Sequence, residues 1–82
     1  MDINAIRQGM EKCDGAHAFD AKGTFFEGYV KHQCDDGSVS WRRYYDWGIR
    51  VDKADMSSKD VAAALAALSE GGFRIEFQNN RD

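Results

Sequence analysis

The sequence has no proline and no long apolar run, and it carries only two cysteines. Without proline there is no proline-rich linker or rigid recognition segment in it. No apolar stretch approaches the length needed to span a bilayer as a helix. The N-terminal Met-Asp-Ile-Asn-Ala-Ile-Arg lacks the charged-then-apolar layout of a signal peptide. These features predict a soluble, cytoplasmic protein. Cys13 and Cys34 form no CxxC arrangement, and in a reducing cytosol they read as free thiols. Basic excess is absent too. Eleven Lys and Arg stand against 14 Asp and Glu, a net charge of −3 that argues against non-specific binding to nucleic acid.

The chain is rich in aromatic side chains. Its 82 residues make one domain, 1–82, and a domain of that size buries only about 60–65% of the surface its unfolded chain exposes. Two Trp, three Tyr and five Phe must therefore supply much of the core. The richest stretch is Val39–Val51. Its odd positions are Val39, Trp41, Arg43, Tyr45, Trp47, Ile49 and Val51, apolar or aromatic except for Arg43. That period of two predicts a long central strand with one buried face. Ser40, Arg42, Tyr44, Asp46 and Arg50 fall on the wet face, and Arg43 interrupts the dry one.

The remaining elements follow from spacing. Asp2 can cap a helix whose one face carries Ile3, Ile6, Met10 and Cys13, with Gly15 as its stop. Gly9 inside it costs about 1 kcal/mol relative to alanine and marks either close packing on an aromatic ring or simply a weak helix. His17–Asp20 reads as a short strand. Thr24–Gln33 reads as a longer one, in which Phe25 is either exposed or the sign of a bulge. Asp36-Gly37 between two strand-like runs predicts a hairpin turn. Ser57 with Asp60 resembles a capping box. Val61, Ala64, Leu65 and Leu68 then mark an amphipathic helix ending at Gly71-Gly72. Phe73, Ile75 and Phe77 alternate along a last strand. The expected fold is α+β, a two-layer sandwich of order α-β-β-β-α-β. An antiparallel meander and a final strand parallel to Val39–Val51 form the sheet, and both helices lie on one face.

No motif names a reaction. Cys13, His17, His32 and Cys34 are the only cysteines and histidines, and their spacing fits none of the usual zinc patterns. They read as structural residues, so neither a metal nor a cofactor is expected. No glycine-rich loop precedes a helix, and no nucleophile has an evident base. The protein reads as non-enzymatic. Arginine, tyrosine and tryptophan are the residue types that dominate protein interfaces. Arg42, Tyr44 and Arg50 on the wet face are therefore candidate partner-binding residues, with Arg43 beside them and with Phe25 and Tyr29 extending the patch. The acids Asp35, Asp36, Asp52 and Asp55 flank the strand and could meet basic partner groups.

Two resemblances bear on function. The helix–three strands–helix order, with the alanine-rich Ser58–Leu68, resembles the double-stranded-RNA-binding domain over about the first 70 residues. That family carries several lysines at the start of its second helix; here Lys59 stands alone, followed by Asp60. The resemblance implies an RNA-binding module only if another basic surface replaces that one. In size, acidity and lack of cofactor motifs the chain is similar to phage-encoded anti-CRISPR inhibitors. That resemblance implies a protein inhibitor of a bacterial defence complex, bound to a CRISPR effector subunit in the host cytoplasm. An exposed strand edge can pair with its copy, so the expected state is a monomer or a homodimer.

Overall fold

In the computed structural model, residues 1–45, 50–51 and 54–79 are described, those at 50 and 51 by backbone alone. Helix α1 (Ile3–Lys12) starts where the Asp2 carboxylate accepts from the Ala5 amide at 2.8 Å. Strands β1 (Gly15–Phe19), β2 (Phe25–Gln33) and β3 (Val39–Tyr45) follow, then the two-residue β4 (Arg50–Val51). Helix α2 (Ser58–Glu70) is capped by Ser57, whose hydroxyl accepts from the Asp60 amide. Strand β5 (Arg74–Gln78) closes the chain. The helix α1 ends at Lys12 with Cys13 already extended, so Gly15 opens β1 and does not stop the helix.

The fold is α+β, as the sequence predicts. The sheet order is β4-β3-β2-β1-β5, and every described pairing is antiparallel. Both helices lie on one face. Ile6 and Met10 of α1 and Val61, Ala62 and Leu65 of α2 enclose Ala16, Tyr29 and Trp41 of the sheet. Among these Tyr29 and Trp41 are almost wholly buried. At roughly 150–250 Å² each, they are the largest single contributions to a small core. Gly9 allows α1 to sit directly on Phe77: a Cβ there would lie 2.5 Å from that ring.

Two expectations are corrected. Val39–Val51 is not one strand. β3 stops at Tyr45, and Arg50 and Val51 pair back antiparallel with Tyr45 and Tyr44. A period of two is equally satisfied by one long strand or by two shorter strands running opposite ways. Thirteen residues also exceed the usual strand length of about 3–10. Asp46, Trp47, Ile49 and Asp52 lie outside the described residues. Nor is this strand the middle of the sheet, since β2 holds that place.

The last strand also runs opposite to the direction expected. β1 and β3 are each antiparallel to β2, and β5 is antiparallel to β1, so β5 runs against β3. The reason is the return after β3. It brings the chain back to Trp41, where Met56 exchanges two backbone hydrogen bonds with it, before α2 begins. That additional reversal inverts the direction of everything after it.

Three turns carry a glycine at positive φ, Gly23, Gly37 and Gly72, and two of them position the elements around the site. Gly37 (φ 88°) closes the β2–β3 hairpin, where its amide donates to the Cys34 carbonyl. Gly72 (φ 93°) ends α2, and the next amide, Phe73, reaches back to Leu68. Among the described residues, no helix is long and apolar enough to cross a membrane.

Candidate functional site

The helices cover one face of the sheet; the other presents a cluster of rings. His17 and Phe19 alternate with the buried Ala16 and Ala18 on β1, so they point away from the helices. A bulge then brings Phe25 to them. β1 and β2 pair as Ala18 with Glu27 but Phe19 with Phe25, so β2 contains one additional residue there. Phe25 thus shares the open face with His17, whereas Glu27 points to the core. Phe26, the residue in between, is half exposed and rests on Phe73.

Tyr44 of β3 completes the cluster. Its ring lies over Gly28, where a Cβ would come within 2.5 Å of the tyrosine Cζ. The ring stacks on Phe25 with centroids 6.0 Å apart and meets His17 edge-on at 5.7 Å. His17 also meets Phe25 edge-on at 5.4 Å, and Phe19 meets Phe25 at 6.0 Å. The Tyr44 hydroxyl and His17 Nε2 are hydrogen-bonded. Partial burial lowers the His17 pKa, against a smaller upward pull from Glu76. Burial raises that of Tyr44. Both groups are therefore neutral at pH 7.

Among the described residues, Arg42 and Arg74 are the cations at the edges of this face, and each is paired with an acid. The Arg74 guanidinium lies 4.9 Å from the Phe19 ring centroid and is paired with Glu76 at 2.6 Å. Arg42 Nε is 2.8 Å from Asp55 Oδ1, and that hydrogen bond chiefly holds the Asp55 carboxyl below its ordinary pKa. Among the described residues, the surface is thus an aromatic platform with an ion pair at each side. Such a surface can bury apolar area against a partner. The two arginines described there have their charge engaged by acids, which leaves less of it for phosphates.

The residues expected to bind a partner separate into distinct places. Arg42 and Tyr44 are on the open face, with Asp55 tied to the first. Asp35 and Asp36 are exposed at the hairpin tip, where Asp36 accepts from the Ser38 amide and hydroxyl and its pKa is lowered. Arg50 is placed by its backbone beside Tyr45. Tyr29 is corrected: it is fully buried and cannot touch a partner. Its hydroxyl donates to the buried Glu27 carboxylate, and burial and that acceptor push its pKa far up. Arg43 faces Tyr29 across the strands, within hydrogen-bonding reach of its hydroxyl, and its guanidinium packs over Tyr45. The charge that breaks the apolar alternation is therefore held by a polar network at the end of the core.

His17 and Phe19 are the site residues that sequence reasoning missed. Their alternation with Ala16 and Ala18 was the available signal. The four cysteine and histidine side chains are dispersed. His17 is in the ring cluster, Cys13 ends α1, His32 is exposed on β2, and the Cys34 thiol is 3.5 Å from the Ser40 hydroxyl. Among the described residues, no three His, Cys, Asp or Glu side chains come together as metal ligands.

No protein-family model matches this chain, and no curated protein or solved structure matches it.

Proposed function

We propose that this protein is a small, non-enzymatic binding protein that docks on a protein partner through the open face of its sheet. One observation carries the reading: His17, Phe19, Phe25 and Tyr44 form a contiguous aromatic cluster on the face opposite the helices. Aromatic side chains with arginines at their margin are the usual centre of a protein interface. The pairing of Arg42 with Asp55 and of Arg74 with Glu76 favours a protein over a nucleic acid, because phosphate binding draws on unpaired cations.

The general similarity to phage anti-CRISPR inhibitors makes a subunit of a CRISPR effector the first partner to test, with the protein acting by blocking a channel or a conformational step in the bacterial cytoplasm. The test is binding of the purified protein to purified effector complexes and, separately, to duplex and single-stranded RNA. Saturable binding to a complex that Tyr44→Ala abolishes supports the reading. Binding to free RNA with a steep salt dependence supports an RNA-binding module in its place.

A further inference from the structure

The other side of the molecule carries a second feature that the sheet face does not explain. A groove of about 510 Å³ lies between α1, the first turn of α2 and the two strands of the hairpin. That volume is within the range of ligand-binding clefts, about 300–1,000 Å³. Met10, Val39 and Trp41 give it an apolar lining. Val39 stands at its mouth with 46% of its surface exposed, although it is a β-branched residue on a strand face that is otherwise packed.

The rim is cationic. Arg7 comes from α1, Lys31 from β2 and Lys59 from α2, against one acid, Glu11. Lys31 Nζ is held 5.5 Å from the Trp41 ring centroid. Among the described residues none of the three cations is in an ion pair. The groove thus carries a local charge of +2 on a protein whose net charge is −3. Ser58 adds a hydroxyl there, which accepts from the Trp41 indole at 3.1 Å and has its own proton to donate. An apolar trough ringed by unpaired cations is complementary to an acidic segment with a bulky apolar side chain.

We propose that this groove is a second docking site, which takes an acidic peptide segment of a protein partner. One large apolar side chain enters between Met10, Val39 and Trp41, and flanking carboxylates meet Arg7, Lys31 and Lys59. The site lies on the helix-bearing side of the molecule and stands independently of the reading of the open sheet face.

The probe is a fluorescein-labelled peptide, Asp-Glu-Phe-Leu-Glu-Asp with blocked ends, and its control carries Asn and Gln in place of the acids. Anisotropy and amide chemical shifts of the full chain are followed during titration. The expected result is saturable binding of the acidic peptide, with shifts at Arg7, Lys31, Val39, Lys59 and the Trp41 indole, and none at His17, Phe25 or Tyr44. Arg7→Glu with Lys59→Glu changes two exposed side chains, so the variant folds, and it should weaken binding at least about tenfold, or 1.4 kcal/mol. Val39→Asp should weaken it comparably by placing a like charge at the mouth. Equal binding of the neutral peptide, no effect of the charge reversal, or no saturation at millimolar peptide overturns the proposal. Shifts confined to the sheet face also overturn it and leave the first site standing.

Discussion

Tyr44 lies on Gly28 with no room for a side chain between them: a Cβ on the glycine would sit 2.5 Å from the tyrosine Cζ. The ring is a planned occupant of that space, since it also stacks on Phe25 and bonds to His17. Gly28→Ala should therefore displace Tyr44 and destabilise the fold by about 1–3 kcal/mol. The same change made in Tyr44→Ala should be much less harmful, because the clash is gone. Urea unfolding of the four proteins in that cycle measures the coupling.

His17 should make stability depend on pH in a narrow window. Its pKa in the folded chain lies below 6.5, mainly because burial disfavours the charged ring. Well above pH 6.5 it is neutral in both states and contributes no slope. As pH falls below 6.5 the unfolded chain takes up the proton first, so stability declines until pH passes the folded-state value. The decline should be missing in His17→Phe. Thermal unfolding of both proteins across this range tests it, and parallel curves would show that His17 is not responsible.

Tyr29 belongs to the core and not to the binding site. Tyr29→Phe leaves the buried Glu27 carboxylate without its hydroxyl donor, at a cost of about 1–3 kcal/mol. Binding by the folded variant should be unchanged, whereas Tyr44→Ala should lose it. Chemical denaturation paired with a binding titration separates the two roles.

Arg42 and Asp55 form an exposed pair, with side chains 42% and 45% accessible. Arg42→Gln should change stability by less than about 1 kcal/mol. It should raise the Asp55 titration midpoint toward its ordinary value, because the guanidinium hydrogen bond is the main cause of its depression. Carboxyl carbon chemical shifts follow that midpoint directly. An unmoved midpoint would mean that the two side chains are not paired in solution.

The sequence makes the local elements legible wherever the cause is local. Asp2 and Ser57 cap their helices, Gly37 turns the hairpin and Gly72 ends α2, each through a backbone requirement that one or two residues satisfy. Of the two readings that Gly9 allows, close approach to a ring and a weak helix, the contact with Phe77 bears out the first, and which ring it meets is a tertiary fact. The direction of β5 was not legible. It depends on whether the chain turns back after Tyr45, and the alternation through Val51 is the same in both cases.

The site was half legible for a similar reason. Arg42 and Tyr44 follow from their place in β3, but Phe25 reaches them only through the bulge opposite Phe19, which shifts the face of one residue and not the next. Without the bulge Phe25 would share the side of Glu27 and Tyr29. The sequence shows that the alternation in β2 is imperfect, and pairing with β1 decides on which side each ring falls. The groove beneath α1 had no sequence signal, because Arg7, Lys31 and Lys59 lie far apart along the chain.

The most direct measurement is quantitative affinity purification from nuclease-treated bacterial lysate, with wild type, Tyr44→Ala with Arg42→Glu, and Arg7→Glu with Lys59→Glu, each first shown to be folded. If the open face is the primary docking surface, the wild type and the groove variant retain the same protein in stoichiometric amount, and the sheet-face variant loses it. Retention of that protein at undiminished level by the folded sheet-face variant would contradict the account, as would its loss on nuclease treatment alone.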